Sequence, residues 1–267
     1  MTLITFLSDY GLQDEFVGVC HGVLARLAPD ARVIDISHGI PRHDVRTGAL
    51  TLASALPYFP AGVHLAVVDP DVGQRSRRAV ALRVGERILV GPDNGLLMPA
   101  AAGMGEVVEA IDVTRSEHRL DQMSATFHGR DVFAPVAAAL ARGEPLLQVG
   151  EPMDVGELVE LELPVADVDG QGVLAHVLDV DRFGNATLDA RHEQLLAGGL
   201  RLGGPVQVQV GPALHIARFA VSFADVPAGT LLLYEDARSR SALAVNRGSA
   251  ADALGLARDD AVRLRPE

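Results

Sequence analysis

Tryptophan is absent from the 267 residues, tyrosine occurs three times, and Cys20 is the single cysteine. One cysteine excludes an intrachain disulfide and a cysteine-built zinc site, so a reducing compartment, the cytoplasm, is the expected location. Without tryptophan, stacking on a nucleobase falls to phenylalanine and tyrosine, among which Phe183, Phe223 and Tyr234 stand in polar or turn surroundings. Positive charge is also in short supply. The 23 Lys and Arg against 35 Asp and Glu leave a net charge of −12, which argues against a phosphate backbone or an anionic membrane as partner. No basic stretch precedes the apolar run Leu3 to Leu7, which reads as a first strand and not as a signal peptide. Ala49 to Val68 has the length of a membrane span, but Pro57, Pro60 and Gly62 interrupt it, so it reads as helix, turn and strand. Neither GxGxxG nor GxxxxGKS/T is present, which speaks against a ligand held by its phosphates. HExxH is missing too. His38, His43, Asp44 and Asp9 lack paired-ligand spacing, so a metal is not expected.

What is present is an ordinary globular composition, 48% hydrophobic and 22% charged, long enough to bury a core without staples. Strand-like runs at Leu3 to Leu7, Val33 to Ile36, Val63 to Val68, Ala79 to Val84 and Arg87 to Val90 alternate with helical periodicity over Phe16 to Leu27 and Val45 to Leu56. A further helix is expected from Asp131 to Ala141. The alternation predicts an α/β domain with a mostly parallel sheet, whose ligand site lies at the carboxyl ends of the strands. Between Glu144 and Gly172 the texture turns to proline, glycine and acidic residues. Beyond it come glycine-punctuated strand runs: Val173 to Val180, Val206 to Val210, His215 to Val221 and Leu231 to Tyr234. This predicts an α/β catalytic domain over 1–160 and an all-β, barrel-like domain over 161–267.

Polar residues collect where the apolar runs end. Ser8-Asp9-Tyr10-Gly11, with Asp14 behind it, follows the first strand and puts a carboxylate where a phosphate loop has glycines. Asp69-Pro70-Asp71-Val72-Gly73 follows the third strand, with Arg75, Arg77 and Arg78 downstream; an arginine partner favours an ionised carboxylate. Gly91-Pro92-Asp93-Asn94-Gly95 reads as a turn or a polar site loop. His128, between Phe127 and Gly129 and just ahead of a helix, is placed to act as a base near neutral pH. Asp181-Arg182-Phe183-Gly184-Asn185 reads as a hairpin turn, whose asparagine is equally suited to a sugar hydroxyl.

Together, Ser8-Asp9-Tyr10-Gly11, Asp69-Pro70-Asp71-Val72-Gly73, Pro92-Asp93-Asn94-Gly95-Leu96, Thr126-Phe127-His128-Gly129-Arg130-Asp131, Phe183-Gly184-Asn185 and Val245-Asn246-Arg247-Gly248-Ser249 resemble the S-adenosylmethionine hydroxide adenosyltransferase family, relatives of the fluorinating and chlorinating enzymes. The likeness runs nearly end to end. It implies conversion of S-adenosyl-L-methionine and water to adenosine and L-methionine, by displacement at ribose C5′. It also implies a homotrimer with each site between one subunit's first domain and its neighbour's second, and no cofactor. By the same resemblance Asp69, Arg77 and His128 activate the water, and Asp9 binds the ribose hydroxyls. Asp181 and Asn185 contact ribose and the methionine portion, Phe183 and Phe223 surround adenine or sulfonium, and Asn246 lies in the adenine-reading segment. Asp14 and Asn94 complete the expected substrate-binding set.

Two departures stand out: Asp71 replaces a common glycine, and the loop from Gly73 to Arg78 is one residue longer than usual. The second leaves Arg75 and Arg78 as rivals to Arg77. Halogenation is the neighbouring reading, disfavoured because the halogenating relatives carry an uncharged aromatic where this chain has Asp69, whose charge repels a halide. A sensor that binds S-adenosylmethionine or adenosine without turnover is a second alternative, and a metal-dependent hydrolase a third.

Overall fold

The computed structural model describes residues 2–74 and 76–267. The chain divides into two compact units, the first ending at Leu161 and the second beginning at Glu162.

The first unit is built on a seven-stranded sheet of β1 (Leu3–Ser8), β2 (Arg32–Ser37), β3 (Val63–Val67), β4 (Ala79–Val84), β5 (Arg87–Pro92), β6 (Val107–Asp112) and β7 (Glu151–Met153), in the order β2-β1-β3-β5-β4-β6-β7. Pairing is parallel from β2 through β1 and β3 to β5 and antiparallel from β5 onward. The parallel half is where helices make the connections: α1 (Phe16–Leu27) joins β1 to β2, and α2 (Val45–Ala55) joins β2 to β3. The antiparallel half begins at the tight β4–β5 hairpin, which needs no crossover.

Two apolar layers cover the sheet. One packs α1 and α4 (Ala134–Ala141) on Ile4, Phe6, Leu65 and Val67; the other packs α2 and α3 (Met98–Met104) on Leu7, Ala66 and Val68. β3 is buried on both faces, which is why its run is apolar apart from the buried His64. Asp44 caps α2, its carboxylate accepting from Thr47 N–H.

The helix expected from Asp131 begins earlier, as a π-helical turn over Gly129–Phe133 that passes into α4. The reason lies in Pro135. It has no N–H to offer the Asp131 carbonyl, which accepts Leu120 N–H at 2.9 Å, while Ala134 N–H reaches back to Gly129.

The second unit is a seven-stranded barrel with one outer strand. β8 (Asp167–Asp169), β9 (Gly172–Val180), β10 (Ala186–Leu188), β11 (Pro205–Val210), β12 (Ala213–Phe219), β13 (Leu231–Glu235), β14 (Ser241–Val245) and β15 (Ala261–Pro266) run in the order β10-β14-β13-β12-β11-β15-β9-β8, and the β9–β10 pairing closes the barrel. Alternate residues such as Val173, Ala175 and Val177 fill its interior. Among the described residues no helix is long and apolar enough to cross a membrane.

Candidate active site

Two strands of the parallel half deliver the first unit's carboxylates. Asp9 directly follows β1, and Asp69 follows β3 by two residues, both at carboxyl ends. Asn94 holds the β3 end in place: its amide donates to the Val68 carbonyl at 2.9 Å and its oxygen accepts Leu96 N–H. Past Asp69 the chain coils through successive tight turns, Val72 N–H to Asp69 O, Gln74 N–H to Asp71 O and Arg77 N–H to Gln74 O. The coil returns Arg77 to the carboxylate. Arg77 Nη2 lies 2.5 Å from Asp69 Oδ2 and 2.7 Å from His128 Nδ1, and both side chains of the ion pair are 5% exposed. Its guanidinium carbon stands 5.3 Å from the Phe133 ring centroid, so the planar group is held from a third side.

His128 sits on the rim of the π-helical turn. Asp131, fully buried, anchors that segment by accepting Ser124 N–H at 2.6 Å and Arg130 Nε–H at 2.5 Å. The two loops approach closely because Gly73, at φ +87°, has no Cβ; one there would run into the Ala125 carbonyl. Gly129 does the same for Tyr10, whose hydroxyl occupies the space a Cβ would need.

The chemistry of the trio follows from burial. Loss of solvent pushes the Asp69 carboxyl up to about 6, aided by Asp71 and Asp9 and opposed by Arg77. The Arg77 contact is a close charge pairing, and a hydrogen bond from the Asp71 backbone also opposes the rise. Burial, then the Arg77 charge, holds His128 below the usual imidazole range. Arg77 can only donate, so Nδ1 of His128 is its acceptor and the ring hydrogen of the neutral imidazole is on Nε2. Burial also raises the Tyr10 phenol well above its ordinary value.

Asp69 and His128 line a cleft of about 360 Å³ together with Asp9, Asp14, Tyr10 and Phe127. Asp9 Oδ2 accepts His43 N–H at 2.9 Å. Phe16 and Phe127 meet edge to face at 5.0 Å, and Tyr10 stands 5.7 Å from Phe127, giving the cleft an aromatic wall. Sequence reasoning did not single out this wall or Arg42, weighed His43 only as a metal ligand and met Thr126 only within a motif; Arg42, His43 and Thr126 also line the cleft. The only signal for the wall was the aromatic residue inside two of the motifs. Asn94 is not among the lining residues; its amide is spent on Val68. Arg78 is committed elsewhere, to Asp93 at 2.7 Å and to Glu157. Arg75 lies outside the described residues.

In the second unit Asp181, Phe183, Asn185 and Phe223 line a separate cleft of about 630 Å³ with Val245, Arg247 and Gly248. Asp181 shapes the turn: its carboxylate accepts Phe183 N–H at 2.8 Å, Asn185 N–H at 3.0 Å and the Asn185 side-chain amide at 2.9 Å. Phe183 stands 62% exposed at the mouth. Asn246 supports the wall from behind, its amide donating to the Phe223 and Val226 carbonyls at 3.0 and 2.8 Å. Arg247, which sequence reasoning placed only within a motif, is the cation of this cleft.

Comparison with known proteins extends over both units. The SAM hydroxide adenosyltransferase N-terminal domain matches residues 4–150, and the C-terminal domain of the same family matches residues 175–263. An (R)-S-adenosyl-L-methionine hydrolase of Salinispora arenicola is 50% identical over 98% of this chain and 97% of its own. One of Thermus thermophilus is 40% identical over 99% of this chain and 100% of its own. A crystal structure of a conserved protein from Thermotoga maritima superposes with a TM-score of 0.91 at 35% identity, covering 98% of this chain and 99% of that one. With both domain types matched in order and relatives aligned almost end to end, this chain belongs to the SAM hydroxide adenosyltransferase family.

Proposed function

We propose that this chain hydrolyses S-adenosyl-L-methionine, a water oxygen displacing L-methionine from ribose C5′ to leave adenosine. The observation that carries the reading is the Arg77 nitrogen, itself outside the cleft lining, shared between Asp69 and His128, which both line a cleft with an aromatic wall. The leaving group needs little help, because a sulfonium departs as a neutral thioether when the C5′–S electron pair returns to sulfur. Catalysis therefore turns on the nucleophile. Asp69 is the base: its carboxyl lines the cleft and burial raises it toward the working pH, which strengthens it as an acceptor. His128, its Nδ1 engaged by Arg77, offers Nε2–H to orient the water, and Arg77 holds both partners and stabilises developing hydroxide charge. The water proton passes to Asp69 and then to solvent. The electron-rich ring faces of Tyr10, Phe16 and Phe127 suit the sulfonium cation.

Asp9 and Asp14 take the ribose side of the first cleft, Asp9 being suited to a vicinal diol by its two acceptor oxygens. Asp181 and Asn185 contact ribose and the methionine portion, Phe183 and Phe223 surround the adenine or sulfonium, and Asn246 supports the adenine-reading wall. Asn94 acts by fixing the strand end beside Asp69. The substrate is a small molecule and the reaction draws on no cofactor. The chain works as a cytoplasmic homotrimer in which the first unit of one copy meets the second unit of its neighbour. The exposure of Phe183 supports this, as does the division of the site residues between two units with separate clefts.

The test is incubation of the sulfonium substrate in isotopically labelled water. Label in the 5′ oxygen of adenosine is expected; label elsewhere, or an unlabelled product, overturns the reading. Assay in fluoride and chloride addresses halogenation, which the Asp69 charge opposes: halogenated nucleoside in excess of adenosine would overturn hydrolysis. For the interface, mixing an Asp69→Asn chain with an Asn185→Ala chain should restore part of the activity that each lacks alone. A monomeric, fully active enzyme rules the shared site out.

A further inference from the structure

Behind the strand that carries Asp9, three side chains outside the cleft lining converge. His21 on α1 places Nε2 2.9 Å from Asp35 Oδ1 on β2, and His38, just past β2, places Nε2 3.1 Å from the same oxygen. The three donor atoms lie within 4.8 Å of one another. We propose that His21, Asp35 and His38 bind a divalent transition-metal ion of the zinc type, a structural site independent of the reaction.

A hydrogen-bonded cluster alone accounts poorly for His38. Its side chain is 2% exposed, and its Nε2 has no aligned hydrogen-bond partner despite the carboxylate oxygen 3.1 Å away. Its other nitrogen, Nδ1, bonds Ser8 Oγ at 2.7 Å, and Ser8 Oγ also accepts Tyr10 N–H. Metal binding at Nε2 requires the tautomer in which Nδ1–H donates to Ser8 Oγ; the Nε2 lone pair then faces the Asp35 oxygen, and a cation between them satisfies both. The Nδ1 bond is the outer-shell contact that fixes tautomer and ring direction in histidine metal ligands.

The geometry and chemistry select the ion. Ligands at about 2.0–2.1 Å from a tetrahedral zinc are separated by about 3.3 Å, close to the contacts seen here. Two imidazoles and one carboxylate favour zinc, cobalt or nickel over calcium or magnesium, which prefer all-oxygen sites. His21 and Asp35 are 34% and 41% exposed, so the ion has a path from solvent and room for a water as fourth ligand. The Phe6 ring, 4.6 Å from the His38 ring, closes the inner side. The site spans α1 and the edge strand β2, the least buried strand of the parallel half, so a bound ion clips that edge to its covering helix.

The experiment uses the full-length, tag-free chain after chelator treatment and dialysis. Zn2+ added alone should bind one ion per chain with micromolar or tighter affinity and raise the melting temperature by several degrees. Co2+ should give the intense visible absorption of a four-coordinate ion. His21→Gln and Asp35→Asn, both at solvent-accessible positions, should each weaken Zn2+ binding at least tenfold. Hydrolysis well below the melting temperature should change less than twofold between metal-free and Zn2+-loaded protein. Absence of a one-to-one site, or binding unchanged in both variants, overturns the proposal. Loss of hydrolysis on chelation overturns its independence from the reaction.

Discussion

Arg77 Nη2 approaches Asp69 Oδ2 to 2.5 Å with both side chains 5% exposed, and the same nitrogen reaches His128 Nδ1 at 2.7 Å. One guanidinium nitrogen thus ties together residues from two loops that the sequence separates by 59 positions, Asp69 to His128. Lysine cannot reproduce this, since its ammonium lacks the planar fork and the stacking on Phe133. Arg77→Lys should lower kcat by about 100-fold while leaving the fold intact. Steady-state kinetics beside circular dichroism decide it, and a loss below threefold counts against the bridging role.

The rate should follow the ionisation of Asp69. Burial sets its carboxyl at about 6, so the base is mostly ionised at pH 7.5 and mostly protonated at pH 5. Activity should fall about tenfold per pH unit below about pH 6 and level off above about pH 7. An acid limb centred below about pH 4.5 is incompatible with a buried Asp69 as base.

The same shift makes a stability statement. A carboxyl whose folded pKa is raised binds its proton more tightly when folded, so its contribution to stability is present below about 4 and is lost as pH rises through about 6. Asp69→Asn, which carries no charge, escapes that loss. Chemical denaturation should show the variant gaining on the parent by about 1 to 3 kcal/mol between pH 4 and pH 8, although activity is abolished. A difference that stays flat with pH would falsify the assigned burial cost.

Gly129 lets the Tyr10 hydroxyl pack against the start of the π-helical turn. Gly129→Ala should push the Tyr10 ring into the cleft or tilt the turn that bears His128. A drop of about tenfold to 100-fold in kcat/KM is expected, with a melting temperature within a few degrees of the parent. Unaltered kinetics would show that the close approach has no functional weight.

His64 is a buried titratable group outside the cleft. It is fully buried on β3, bonded to Thr5 Oγ1 at 2.9 Å, and burial followed by the Arg87 charge lowers it to about 4. The unfolded chain takes up its proton near pH 6.5 and the folded chain only near 4, so stability declines as pH falls across that window, by up to about 3 kcal/mol. His64→Leu should remove that share of the acid sensitivity. Urea titrations at pH 7 and pH 4.5 measure it, and an identical slope in both proteins rejects the assignment.

How much was legible in the sequence varies with the range of the forces involved. The first five strands and the helices α1 and α2 of the first unit were readable because apolar spacing is local, as in the mainly apolar Val63 to Val67 run and the three-to-four spacing along α1, whereas α3, β6 and β7 were not singled out. The π-helical start of α4 was not: it depends on Pro135 releasing a carbonyl to Leu120, a contact between segments. The site loops were recognisable as motifs, yet their letters do not say whether an asparagine faces ligand or backbone. Asn94 and Asn185 look alike in sequence, but one is spent on Val68 and the other lines a cleft.

By itself the sequence determined the alternation of the first five strands with their helices, the change from α/β to all-β texture, the lack of disulfide chemistry and the kinship of the motifs, all properties carried by composition and near neighbours. Tertiary structure decided which of the neighbouring arginines meets Asp69. Arg78 is drawn away by Asp93 and Glu157, and the coil from Asp69 to Arg77 closes on the carboxylate it started from. It also decided that Asp69 is buried with its carboxyl raised to about 6, and that His38 finds His21 and Asp35 rather than His43. The physical reason is common to all three: desolvation and side-chain convergence depend on which distant segments pack together, and that is settled only when the sheet and its covering helices close around them.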